Sequence, residues 1–373
     1  MDLTSQNGSH TTEMVMFASA DYSTEPSIAF QNKTSILKLS MPVPAEPEWN
    51  TSTTGLSAIV MGANSKGKLS KEGTWSDLED APVKVSNIKV SDGMLTSYVA
   101  VIPGTNVTDL CIAVAAGTKA YVTYNYTNSS STVPENKVVT VNREMKNALL
   151  WTPGQTKQSD VTSFLGTDGT DLTIVAASEM NAADFTEIRN ALNGKTGIAL
   201  TLMNQNTLPY AGLEECIALK SVYAPDVTTV NKFCLKRCSA ADVSFPRLKS
   251  LNEQILFGVS ALQRACFASL TDFTKASQEF SHGQNLAFGA NEQFAFAEGK
   301  NPLAIFQDND AQTMAAQIAT GVTLYLNENG YEYKHNVSGN TWRGVTFKAI
   351  KTYAEFLGTA TGGNPPSMGY ADN

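Results

Sequence analysis

Between residues 219 and 273 the chain repeats its apolar pattern every 21 or 22 residues. Val222, Val243 and Ala265 stand 21 and 22 apart, as do Val227, Leu248 and Leu270, and Val230, Leu251 and Phe273. Leu219, Ala241 and Leu262 follow at 22 and 21. Four columns in step at one period are hard to obtain by chance. The shape of Val222-Tyr223-Ala224-Pro225 also returns as Val243-Ser244-Phe245-Pro246. A period of this length with one short strand per turn predicts a leucine-rich solenoid, because one turn cannot bury its own apolar column and must stack on the next. Extending the period outward reaches Leu200 and Leu208 on one side and Leu286 on the other, in more degenerate turns.

The first part of the chain has a different rhythm. Leu37, Leu39 and Met41 alternate with polar or charged neighbours, as do Val83 and Val85. Ile88 and Val90 continue one residue out of phase, which predicts a bulge at Asn87. Apolar runs at Tyr98–Ile102, Cys111–Val114, Ala120–Tyr126 and Val138–Val141 are separated by Gly-, Asn- and Pro-rich turns. Short strands so punctuated predict an antiparallel β-sandwich. The expected architecture is therefore multidomain: an all-β antiparallel sandwich over residues 13–150, a linker over 151–170 marked by Pro153-Gly154 and Gly166 to Gly169, and a leucine-rich-repeat solenoid over 171–356. The solenoid is expected to combine a parallel sheet with short helices and irregular turns. Residues 1–12 read as a polar disordered start and 357–373 as a loose Gly- and Pro-rich tail. Asn181 reads as the N-cap of a helix to Leu192, with Phe185, Ile188 and Leu192 on one face. Val322, Leu324 and Leu326, followed by Asn329-Gly330 and then Tyr331 and Tyr333, read as a hairpin in the closing cap.

Composition narrows the function. The 373 residues are 42% hydrophobic, enough for two cores, but only 17% charged, with net charge -8. An acidic chain repels phosphate backbones, so nucleic acid is excluded as a partner. Lys66, Lys68 and Lys71 form one small basic cluster. Ser, Thr, Asn and Gly fill the polar positions, a mix suited to extracellular β structure. No run of about 18 apolar residues spans a membrane. Met1 to Gln6 holds no apolar signal core. The expectation is a secreted or cell-surface protein, an outer-membrane lipoprotein whose signal segment lies upstream, with Met1 an addition.

The five cysteines, Cys111, Cys216, Cys234, Cys238 and Cys266, are an odd number and read as buried thiols. Cys234 and Cys238 lack the two further ligands of a structural zinc site, so no metal is expected. Nor is a cofactor, since no Walker loop, dinucleotide fingerprint or nucleophile elbow is present. His10, His282 and His335 have no partner at ligand spacing. Asp308-Asn309-Asp310 lacks the Gly and distal Glu of a calcium loop, and Asp168 to Asp171 reads as a turn. No catalytic residues emerge.

These features resemble two families found in surface proteins of Gram-negative anaerobes. Leu213-Glu214-Glu215-Cys216, Leu219, Val222, Pro225, Val227 and Val230, then Phe233 to Cys238, Val243 to Pro246, Leu248 and Leu251, resemble BspA-like leucine-rich repeats. Ala183-Asp184-Phe185 with Ile188 and Leu200 to Asn204 is similar to that family's N-terminal cap, and Trp342 to Ile350 to its closing strand. The third turn departs from the pattern, with Ala265 for valine and Ala268 for proline. Phe30, Lys33 to Met41, Tyr98 to Gly104 and Lys137 to Val141 are similar to fimbrillin-like sandwiches.

The resemblance implies a non-enzymatic cell-surface adhesin whose solenoid face recognises an extracellular protein or glycan, peripheral to the outer membrane through a lipid anchor if the precursor carries one. If Val222 and Ala224 point inward, Tyr223 points outward, with Ser244 and Cys266 beside it in the next turns. These three are the candidate binding residues. Trp49 and Trp75 mark either a ligand rim or core of the sandwich. Two rivals remain. One is a structural subunit of a pilus or surface assembly, joined by strand donation from a segment such as Met14 to Ala18. The other is a glycan-active enzyme, for which Glu214-Glu215 and scattered acids show no pattern.

Overall fold

A computed structural model describes residues 1–7, 16–18, 30–43, 56–86, 88–116, 119–124, 131–251, 255–256, 258–270, 320–342 and 345–359. They are mostly β and form two compact units, Met1–Leu150 and the chain from Trp151 onward. No helix among the described residues is long and apolar enough to cross a membrane.

The first unit has strands β1 (Ser5–Asn7), β2 (Ser35–Pro42), β3 (Ser57–Met61), β4 (Val83–Ser86), β5 (Lys89–Ser91), β6 (Met94–Val101), β7 (Cys111–Ala116), β8 (Lys119–Thr123), β9 (Val138–Val141) and β10 (Lys146–Trp151). One sheet runs β1-β4-β3-β7-β8-β10 and a second runs β9-β2-β6-β5. Alternation along β2 buries Leu37, Leu39 and Met41, which pack with Leu95 and Val99 of the same sheet. Val60, Val83, Ile112 and Val114 of the other sheet join the same core. Two sheets burying one face each into a shared core is the expected outcome of period-2 patterning. The pairing is not purely antiparallel: β1 runs parallel to β4, and β9 parallel to β2.

Two expectations are corrected here. The phase slip between Val85 and Ile88 marks a crossing between sheets, since β4 belongs to one and β5 to the other; Asn87, the predicted bulge, lies outside the described residues. The start of the chain is folded through Asn7. Leu3 is fully buried, and the Gln6 side chain exchanges two hydrogen bonds with the Ala100 backbone at 2.7 and 2.8 Å. A polar composition reads as disorder, yet a glutamine amide can replace a strand's backbone partner. Residues 8–12 lie outside the described set.

The second unit begins with folded structure where a linker was expected. Helix α1 (Gln158–Leu165) buries Val161 and Leu165. Gly169 closes the turn after it: a Cβ there would stand 2.2 Å from the Leu165 carbonyl oxygen. Helix α2 (Ala182–Leu192) buries Phe185, Ile188 and Leu192 and is capped by Asn181, whose side chain accepts from the N–H of Ala183 and Asp184. Asp184 returns the bond to the Asn181 N–H at 2.9 Å and also accepts from the Gly154 N–H at 3.1 Å, fastening the Pro153-Gly154 turn to the helix. The punctuation that read as a linker is the tight packing of two short helices.

A parallel sheet follows, built from β11 (Asp171–Ala176), β12 (Ile198–Met203), β13 (Leu219–Tyr223), β14 (Asp242–Ser244), β15 (Arg264–Cys266), β16 (Thr323–Leu326) and β17 (Ala349–Thr352). Its register runs Leu172↔Leu200↔Val222↔Val243↔Ala265↔Leu324↔Ile350. A second parallel sheet pairs Leu208, Val230 and Leu251. Ala265 and Ala268 do not break the ladder, since β15 pairs on both sides. Phe273 and Leu286 lie outside the described residues.

Ion pairs repeat at the same spacing. Arg264 grips both oxygens of Asp242 at 2.6 and 2.9 Å. Arg247 meets Asp226 at 3.2 Å, Lys236 meets Glu214, and Arg237 meets Glu215 at 3.6 Å. The expected hairpin after Val322 is absent. β16 lies between two parallel neighbours, and Asn329-Gly330 leads into helix α3 (Tyr331–Asn336). The buried Glu332 of that helix accepts from the Trp342 indole N–H at 3.0 Å, which holds the turn in helical form. Helix α4 (Tyr353–Leu357) closes the described chain, with Phe356 and Leu357 buried. Leu357 was expected in the tail, whose residues 360–373 lie outside the described set.

All five thiols are buried and none is bonded to another. Burial pushes Cys216 up to about 11, and Cys234 and Cys238 up to about 12.

Three outcomes are expected. Arg264→Met should cost about 3–5 kcal/mol in urea unfolding, because it strands a buried carboxylate, and Arg264→Met with Asp242→Leu should cost less; equal costs would show that the pair is not buried as described. An aromatic disulfide reagent at about pH 8 should label no thiol in native protein and all five after unfolding. At Asp184, burial works against the charged form, but the Asn181 and Gly154 N–H bonds outweigh it and lower the pKa. Its stabilisation is full above the unfolded value and is lost as pH falls through the lowered one, so Asp184→Asn should flatten the acid limb of a melting-temperature profile below about pH 4.

Candidate functional site

Tyr223, Ser244 and Cys266 stand in one row of the parallel sheet, which continues to Tyr325 and Lys351. The row is closed to solvent where contact was expected: Tyr223 is 2% exposed, Ser244 and Cys266 0%. Cys266 packs with Ala268, Tyr325 and Phe356, with Tyr353 against them. Burial raises the Cys266 thiol well above its ordinary value. Alternation distinguishes the two faces of a strand but does not say which one meets water, and a parallel sheet is ordinarily covered on both. These three residues are core.

Two residues earlier, at the strand starts, the same face is buried at Asp242 and Arg264 and partly open at Thr323 and Ala349. Asp242, Arg264, Thr323 and Ala349 are in register there. Just before them the backbone ladder continues: the N–H of Ala241 donates to the Lys220 carbonyl at 2.8 Å, Gln263 to Ala241 at 2.7 Å, Thr323 to Gln263 at 2.8 Å, and Lys348 to Val322 at 3.0 Å. This row brings Lys220, Gln263 and Lys348, all exposed, to one rim. With Lys351 and Tyr325 they line a cavity of about 490 Å³. Such a volume is that of a small-molecule site.

The electrostatics are one-sided. Lys220, Arg264, Lys348 and Lys351 are cations and Asp242 is the one carboxylate of the lining. Arg264 engages both oxygens of Asp242, and the three lysines add positive charge to the lining, in a chain whose net charge is -8. A concave wall lined by one sign of charge focuses the field. The arrangement can hold an anion, through ammonium groups at the rim and hydrogen bonds from Gln263 and Thr323.

The small basic cluster legible in the sequence consists of paired lysines. Lys66, Lys68 and Lys71 each meet an acid, Asp2 at 3.2 Å, Asp77 at 2.8 Å and Glu72 at 3.7 Å. Lys348 and Lys351 are more than one hundred residues from Lys220, so no local run betrays them. The usable signal was the period itself, which sets Lys220 beside Ala241 and Gln263. A smaller cavity of about 200 Å³ has Arg189, Glu214, Glu215 and Cys216 in its wall, one cation against two carboxylates. Trp75 is half-buried against Leu3, Ala100 and Ile102 and donates to the Lys33 carbonyl at 2.8 Å, which makes it structural. His335 lies against Tyr331 with ring centroids 4.5 Å apart and the planes tilted by 32°. Trp49, His10, His282 and Asp308 to Asp310 lie outside the described residues. Among the described residues no three His, Cys, Asp or Glu side chains are placed to hold a metal.

No protein-family model matches the chain, and no curated protein matches it significantly. Among solved structures the chain is similar to one from Bacteroides uniformis ATCC 8492 named a "putative cell adhesion protein", at 10% identity and a TM-score of 0.23, over 33% of this chain. The match spans 52% of that protein's length, and likeness at this level carries no argument about fold or function.

Proposed function

We propose that the protein is a non-enzymatic cell-surface binding protein whose second unit is a BspA-like leucine-rich-repeat solenoid and whose first unit is a fimbrillin-like sandwich acting as spacer. The solenoid reading is supported by the column from Leu172 to Ile350 and by ion pairs one repeat apart at Asp226–Arg247 and Asp242–Arg264. The binding reading rests on the cavity at the strand starts, to which five successive strands or their leading residues contribute. Its groups suit holding a ligand: rim lysines and polar Gln263 and Thr323, with its one carboxylate tied to Arg264. Recognition thus falls on the face that carries Tyr223, Ser244 and Cys266, at its open end. Fold alone does not set function, so the proposal stands on this site. In this reading the ligand is an extracellular protein or glycan and the location is the outer surface of a Gram-negative cell.

Purified protein is expected to bind one or more members of an array of matrix proteins and glycans, and Lys348→Glu/Lys351→Glu to lose that binding with its unfolding midpoint unchanged. Retention of binding by the variant, or no binding anywhere on the array, would sink the proposal.

A further inference from the structure

We infer that the cavity at the strand starts takes an acidic saccharide unit, a sugar bearing a carboxylate or sulfate group. This inference rests on the binding-protein reading and narrows it. Three observations carry it. First, Lys220, Lys348 and Lys351 converge on one concavity of a protein with net charge -8, which sets local positive charge against the sign of the chain and draws an anion there. Second, the volume of about 490 Å³ far exceeds a bare sulfate or phosphate and leaves room for a ring beside the charged group. Third, the remaining lining matches the body of a sugar. Gln263 and Thr323 offer hydrogen bonds to hydroxyl groups.

Arg264 serves the site indirectly. Its guanidinium is committed to Asp242, so it neutralises the one carboxylate that would otherwise repel the ligand. The lysines are exposed and carry the recognition. Their flexible ammonium groups suit an anion whose position varies, whereas a planar fork would select one geometry.

The test is isothermal titration of the full chain at low salt with glucuronate, N-acetylglucosamine 6-sulfate, neutral N-acetylglucosamine and sodium sulfate. The same ligands are titrated into Lys220→Gln and Lys348→Gln/Lys351→Gln, whose folding is checked by their unfolding midpoints. At least one acidic sugar should bind, and the two together show whether carboxylate or sulfate is preferred. Its affinity should fall at least about tenfold in each lysine variant and weaken between about 50 and about 500 mM NaCl, while N-acetylglucosamine should not bind. Equal binding of neutral and acidic sugars, affinity unchanged in both variants, or sulfate binding as tightly as either acidic sugar would each overturn the inference. So would an array that returns only neutral glycans or proteins, a result that leaves the binding-protein reading standing. Loss of all array binding alongside lysine-dependent uptake of an acidic sugar would do the reverse.

Discussion

The second unit depends on one constraint, the register of its parallel ladder. Each strand from β11 to β17 must set an apolar residue opposite its neighbour's, and Leu172 to Ile350 do so without a break. A shift of one residue would turn the buried column to the opposite face. Leu172 to Leu200, Ala265 to Leu324 and Leu324 to Ile350 reach the same column across 28, 59 and 26 residues, and from Leu200 to Ala265 the turns are 21 or 22 residues long. Asp242–Arg264, at the head of two strands, can exist only at that spacing, and its burial penalises any other alignment.

The constraint also decides where a site can form. Both faces of the parallel sheet are packed, so the middle of each strand is unavailable to a ligand. The strand starts differ, because there the rows of backbone bonds continue into segments whose side chains reach solvent. Main-chain bonds bring Lys220, Gln263 and Lys348 to one rim. Arg264 engages Asp242, and Lys220, Lys348 and Lys351 add three further cations to the lining.

Much of the fold was legible locally. Asn181 and Asp184 announce a capping box, and Phe185, Ile188 and Leu192 fall on one helical face in sequence as in space. The alternation of Leu37, Leu39 and Met41 marks the buried side of β2. What misled were signals whose meaning depends on a distant partner. Pro153-Gly154 looks like a hinge until Asp184 binds its backbone. Gln6 looks solvated until Ala100 takes both ends of its amide. Asn329-Gly330 looks like a hairpin turn until Glu332 meets Trp342.

The candidate site divides in the same way. From the sequence alone came the period, the existence of a stacked column, and the row joining Tyr223, Ser244 and Cys266, because spacing along a chain determines spacing across a regular ladder. Only the tertiary structure decided that this row is core, that its face opens at Thr323 and Ala349, and that Lys348 and Lys351 arrive beside Lys220. Solvent access is set by what packs over a strand, here Tyr353 and Phe356 of the closing helix. Electrostatic character is set by which charges pair, and residues far apart in the chain make both choices.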